Sequence, residues 1–344
     1  MELRSRDAAV RVIRKPEHGN EEWLRLRHRD SHNRVVFGAS EIPSLMGTSL
    51  YETRAALIAR KLADVSTTEA SPAMLTGNLV EPVLVAEASR RLGVEIVTPP
   101  FMFGRGRIVA TPDGIDDETV TRLFLSANVA GAVPVPRFWI EAKCTARFRV
   151  KSPDDVPNSW KWQMAAQAFA CGATAETTQF VLVVLDSDLH INVIPMPRNY
   201  EAEDALANCA DALGKALDNG EIPLEDVETM TAEQIARVFT ADDSAVELPE
   251  DASEWLFALQ DATDARKTAE KHEKTCRDWL AQKLRNATSG TLGGETVVTW
   301  KEQRGRVTLD AQGLERDHPE IFAKYQKQGE PFRVMRLTRK KGER

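Results

Sequence analysis

The sequence predicts an α/β protein in which a mixed sheet is flanked by helices, followed by a C-terminal helix and hairpin extension. Three observations carry that expectation. Phe180 to Leu185 is apolar throughout, as in a central strand covered on both faces. Phe138 to Lys143 alternates apolar and polar residues, the pattern of a half-buried strand. In TGNLVEPVLVAEASRRLG, apolar Leu79, Val80, Val83, Leu84 and Ala88 recur at helical spacing, and Gly93 supplies a stop.

The other elements follow in chain order. EEWLRLR (21–27) reads as a short helix, and VVFGAS (35–40) as an extended run that turns into a second helix with Ser40 as its cap. Residues 96–97 and 108–110 are strand-like, the latter ahead of the turn TPDG (111–114). Residues 116–136 then read as a hairpin extension or flexible loop. A helix is expected over 160–170 and another over 200–217. The stretch 221–251 is acidic and broken by prolines, a loose connection. Beyond it come a long helix from Ala252 to about Asn286, a Gly-rich turn at 290–294, a strand at 296–300 and a basic stretch at 301–306. The expected organisation is a core over 1–220, an acidic connection over 221–251 and an accessory region over 252–344.

Composition sets limits on function. A chain of 344 residues with 42% hydrophobic and 28% charged residues can bury a substantial core. It contains no apolar run of bilayer length, and its first residues lack the apolar region of a secretory signal, so a cytoplasmic protein with no membrane partner is expected. Cys144, Cys171, Cys209 and Cys276 lie far apart with no CxxC pair, the wrong spacing for zinc, a disulfide framework or an iron-sulfur cluster. Any metal should therefore be held by oxygen. The net charge of -7 does not exclude nucleic acid, because an acidic average can hide a basic groove.

One set of residues points to chemistry. Hydrolysis of a phosphodiester requires carboxylates that hold magnesium against the phosphate and a basic group near the attacking water. Asp113 ends a strand in PDG, while Glu141 and Lys143 stand two apart on the next strand and so share a face. Glu141 can bind metal with Lys143 at the water or phosphate. Ala142 points away, leaving its backbone carbonyl to complete the metal shell, and Glu81 on the preceding helix offers a further carboxylate. Each residue taken singly has an ordinary explanation: Asp113 as a turn residue, Glu141 and Lys143 as a solvated strand face, Glu81 as helix surface. Their order along the chain, ahead of a helix that bears glutamine, makes the case.

That order resembles the YqaJ-like viral recombinase family, within the PD-(D/E)xK nuclease superfamily. The resemblance rests on GASEIPSLMGTSLYETR (38–54), GNLVEP (77–82), TPDG (111–114), EAK (141–143) and WKWQMAAQAFACG (160–172). It implies a restriction-endonuclease-like fold and a magnesium-dependent exonuclease, with manganese as a substitute, that digests double-stranded DNA ends 5′ to 3′. The resulting 3′ single strand would pass to an annealing protein, and a homotrimer is implied as the assembly. By the same resemblance, Asp113 and Glu141 are metal ligands with Glu81 assisting, Lys143 positions or activates water, and Gln163 supports the site. Arg27 and Ser40 match residues that grip the 5′-terminal phosphate; Arg25 and Arg29 stand beside Arg27 as alternatives, and Ser40 as a plain helix cap. Lys143 as base and as electrostatic stabiliser remain two readings. The other functions weighed are an endonuclease on the same core and an inactive DNA-binding or assembly protein. The chain departs from the family pattern in its longer 116–136 segment and in Tyr51, which stands where a basic residue is expected.

Overall fold

The computed structural model describes residues 9–16, 21–63, 71–126, 133–242, 244–327, 329 and 332–337. Two compact units divide after Thr240. The helices of the first are α1 (Glu21–His28), α2 (Ile42–Leu45), α3 (Arg54–Leu62), α4 (Pro72–Leu92), α5 (Asp117–Ser126), α6 (Asn158–Cys171), α7 (Tyr200–Asp218), α8 (Leu224–Val227) and α9 (Ala232–Val238). Its strands are β1 (Arg11–Arg14), β2 (Phe37–Gly38), β3 (Ile96–Val97), β4 (Phe101–Arg105), β5 (Ile108–Ala110), β6 (Gly114–Asp116), β7 (Phe138–Cys144), β8 (Gln179–Leu185) and β9 (Ile191–Met196). They form a four-stranded sheet in the order β1-β4-β5-β2 and a five-stranded sheet in the order β3-β6-β7-β8-β9. Each sheet contains one parallel pair, β2 with β5 and β7 with β8, so both are mixed. The mixed sheet flanked by helices that the sequence predicted is the fold observed.

Strand parity explains how the larger sheet positions a site. On one face, Leu84, Val85 and Ala88 of α4 pack with Ile140 of β7 and with Val181 and Val183 of β8. On the other, Met164 to Cys171 of α6 join Trp139, Phe180, Leu182 and Val184 in the main core. Because neighbours along a strand face opposite ways, Glu141 and Lys143 share the Trp139 side, toward α6. β8 lies between β7 and β9 with Phe180 to Val184 buried, as its unbroken apolar run requires.

Gly114 is fixed by close approach. A Cβ there would stand 2.7 Å from Ile96 Cγ2 and 3.2 Å from Val85 Cγ1. Gly114→Ala is expected to destabilise the first unit by about 1–3 kcal/mol through overpacking, read as a lower denaturant midpoint at unchanged slope.

Residues 116–136 were expected as a hairpin extension or loop; 133–136 have no regular structure, but the first half departs from that expectation. Asp117–Ser126 is helical, and residues 127–132 lie outside the described residues. Asp116 explains the helix: Thr119 N donates to its Oδ1 at 3.0 Å, while Arg137 N and Phe138 N donate to Oδ2 at 2.7 and 3.0 Å. One buried carboxylate thus caps α5 and anchors the start of β7. β9 went unread because Pro195 interrupts it, a residue tolerated there because β9 is an edge strand. The stretch expected as a loose acidic connection contains α8 and α9, both packed against α3, and Arg54 Nε lies 3.0 Å from Asp226 Oδ1.

The second unit comprises the long α10 (Ala252–Leu284), a hairpin of β10 (Ser289–Leu292) and β11 (Glu295–Thr299), and the mutually packed α11 (Ala311–Asp317) and α12 (Pro319–Tyr325). The basic stretch 301–306 is exposed and has no regular structure. Among the described residues, no helix is long and apolar enough to cross a membrane.

Candidate active site

The residues to which the sequence assigned site roles line one cleft of about 420 Å³: Arg27, Ser40, Glu81, Asp113, Glu141, Ala142, Lys143 and Gln163. They come from α1, the turn after β2, α4, the approach to β6, β7 and α6. Lys15, Trp23, Asn78 and Gln167 line the same cleft and were not singled out. Of these, Gln167 left a readable signal, since it follows Gln163 by four residues and so shares its helix face.

The cleft holds a carboxylate centre. Ala142 N donates to Asp113 Oδ2 at 2.7 Å, which ties the PDG turn to the middle of β7. Glu141 Oε1 accepts from Gln163 Nε2 at 2.6 Å and lies 2.5 Å from Lys143 Nζ, while Gln167 Nε2 donates to Oε2. Burial, reinforced by the charge of Glu141, pushes the Asp113 carboxyl well above the usual carboxylate range. Burial acts to lower the Lys143 amine, but Glu141 and Asp113 outweigh it and the net shift is upward. Glu81 is also raised, chiefly by burial.

The donor set suits a hard divalent cation. Magnesium is held through one or two carboxylates, with water and phosphate oxygens filling its shell, and Asp113 beside Glu141 is a concentration of negative charge that a cation relieves. Among the described residues, no three His, Cys, Asp or Glu side chains form a metal-holding group, so Glu81 lines the cleft without completing a three-carboxylate set. Gln163 and Gln167 fix the Glu141 carboxylate from behind. Gln167→Leu is expected to raise the magnesium concentration for half-maximal activity by about 10–100-fold, measured by metal titration.

A second group of residues in the cleft is cationic. Arg27 Nη2 donates to Ser40 Oγ at 3.0 Å, and its guanidinium lies 4.7 Å from the Trp23 ring centroid. Of the neighbouring arginines, Arg25 is exposed and Arg29 donates to Asp218 Oδ1 at 3.4 Å; Arg27 is the one that lines the cleft. Ser40 is not the expected helix cap. It sits inside a 3-10 turn, Ala39–Glu41, whose cap position is Gly38, and Glu41 Oε2 accepts from Gly38 N at 2.7 Å. Its hydroxyl is thereby left to Arg27.

His28, next to Arg27, is lowered to about 4 by burial and then by the charge of Lys61. The unfolded chain therefore binds this proton more readily, and stability contributed by neutral His28 is lost as pH falls from about 6.5 towards 4. The thermal midpoint is expected to fall across that window, and His28→Gln to flatten the dependence.

The fold and cleft together define a mixed α/β protein with a PD and ExK carboxylate centre. Residues 22–174 match the model of the YqaJ-like viral recombinase domain. The chain is also similar to solved structures. An alkaline exonuclease from Laribacter hongkongensis, LHK-Exo, is 17% identical, and its complex with dAMP 18%, each over 58% of this chain and 93% of that one with a TM-score of 0.38. A phage-related exonuclease from Haemophilus somnus 129PT is 12% identical over 54% of this chain and 95% of that one, with a TM-score of 0.38. Comparison with curated proteins gave no match.

Proposed function

We propose that this chain is a metal-dependent DNA exonuclease of recombination, digesting duplex ends 5′ to 3′ and leaving a 3′ single strand for an annealing protein. The YqaJ-like viral recombinase domain supports a nuclease. The observation that carries the finer reading is the presence in one cleft of a carboxylate pair with an amine, Asp113, Glu141 and Lys143, and a cationic arm, Arg27 with Ser40. An internal cut requires only the first; the second is suited to the extra charge of a terminal phosphate.

In this reading Arg27 and Ser40 take the 5′-terminal phosphate, the guanidinium as a fork and the hydroxyl as a further donor. Asp113 and Glu141 would hold magnesium, or manganese in its place, and the Ala142 carbonyl would complete the metal shell. When bound, the metal polarises the scissile phosphate and lowers the pKa of water. Lys143 then stands beside the attacked phosphate. There, 2.5 Å from Glu141 Oε1, its amine activates water or stabilises developing negative charge. Gln163 and Gln167 keep Glu141 oriented throughout.

The test is digestion, with magnesium, of linear duplex bearing 5′-phosphoryl or 5′-hydroxyl ends beside covalently closed circular DNA, with product polarity recorded. Faster loss of the phosphorylated linear duplex, with the circle intact, is expected. Cutting of the circle would make the protein an endonuclease, and DNA binding without degradation would make it a binding protein.

A further inference from the structure

Behind Arg27 and Ser40 stands a buried ionic cluster that the proposed chemistry does not use. Glu41 is 3% exposed and Lys61 2%. Glu41 Oε2 accepts from Gly38 N at 2.7 Å and lies 2.6 Å from Lys61 Nζ, and its Oε1 accepts from Arg60 Nη1 at 2.7 Å. Arg60 also grips Glu52 with Nε at 2.8 Å and Nη2 at 2.9 Å. Lys61 Nζ donates in addition to the backbone oxygen of Arg27 at 2.6 Å, one of the last-turn carbonyls that α1 itself leaves unpaired.

Stability does not account for this arrangement. Desolvating such a pair costs several kcal/mol, and apolar residues of similar size are often as stable or better. What the pair does accomplish is a connection. One end of the Glu41–Lys61 link holds the amide of Gly38, at the start of the turn that carries Ser40; the other holds the backbone at Arg27. Two residues thirteen positions apart are thereby held with Arg27 Nη2 at 3.0 Å from Ser40 Oγ.

We propose that Glu41 and Lys61 are positioning residues that hold Arg27 and Ser40 in register for a terminal phosphate. This rests on Arg27 and Ser40 being the phosphate arm. Neither Glu41 nor Lys61 touches substrate; both act through Arg27 and the turn at Ser40.

The experiment compares the full-length protein with Lys61→Met, which keeps the buried stem and removes the amine. Both are assayed with magnesium on 5′-phosphoryl and 5′-hydroxyl duplexes, well below their own thermal midpoints. The expected result is a rise in KM of about tenfold on the phosphorylated end with kcat within about twofold, and convergence of the two ends, the pattern of lost binding rather than lost chemistry. Should Lys61→Met fail to fold, Glu41→Gln with Lys61→Met leaves neither charge stranded, and the same convergence is expected because the tie to the Arg27 backbone is still gone. A folded variant that retains the full preference for phosphorylated ends overturns the proposal, as does an equal fall in kcat on both ends. An unsubstituted protein that treats the two ends alike overturns the phosphate-arm reading itself, and that result precedes any substitution.

Discussion

Asp113→Asn is expected to lower kcat by about 10²–10⁴-fold while DNA binding persists, and Lys143→Met to do the same, the range seen when a group aimed at the reacting centre is removed. Asparagine keeps an oxygen for the Ala142 amide, which Asp113 Oδ2 accepts at 2.7 Å, so the turn stays tied to β7. What disappears is the negative charge. That charge is held at a cost, because burial and then Glu141 raise the Asp113 carboxyl well above its usual range. The sign is definite. A carboxyl whose folded pKa lies above its unfolded value contributes stability at low pH that is lost as pH rises through the folded pKa. Without added divalent ion, Asp113→Asn should therefore melt at the same temperature or higher than the parent at pH 8, and the difference should shrink towards pH 4. Lost activity with a retained or raised melting temperature separates a site strained for function from a variant that misfolds. A fall in both would remove Asp113 from the reacting centre.

Much of this architecture was legible because its elements carry strong periodic signals. The α4 segment with Gly93 behind it, the unbroken run in β8 and the alternation in β7 all became the expected elements, although of the α4 stripe Leu84 and Ala88 are buried while Leu79 and Val83 are exposed. The convergence of Asp113, Glu141 and Lys143 was legible for a related reason: strand parity fixes Glu141 and Lys143 on one face, and the Asp113 amide, which donates to Ile140 O at 3.2 Å, places PDG beside them. What escaped depended on partners distant in sequence. Asp116 caps α5 only because it also receives the amides of Arg137 and Phe138, about twenty residues on. Lys15 reaches the cleft because β1 pairs with β4, a register no local pattern announces. Ser40 lines the cleft, where only the family resemblance pointed; its expected role as a helix cap fails because a 3-10 turn and an α-helix start share the same cap chemistry and the cap position falls on Gly38.

Arg27→Ala should remove discrimination between DNA ends without stopping hydrolysis. A hydrogen bond to a charged group contributes about 1.5–3 kcal/mol, which corresponds to a rise of about 10–100-fold in KM for a 5′-phosphorylated duplex. A 5′-hydroxyl duplex presents no such anion and should change little, so the two substrates converge. Salt dependence gives a second reading: losing one phosphate contact should lower the slope of log affinity against log salt by about one for the phosphorylated end. Arg27→Lys separates charge from geometry. Lysine keeps the positive charge but lacks the planar fork that reaches both phosphate and the Ser40 hydroxyl, 3.0 Å from the present guanidinium. It should therefore retain the salt slope while regaining only part of the end preference. If Arg27→Lys matches the parent in both measures, the arm works as a point charge and the shape of the Arg27–Ser40 pair has no part in recognising the end.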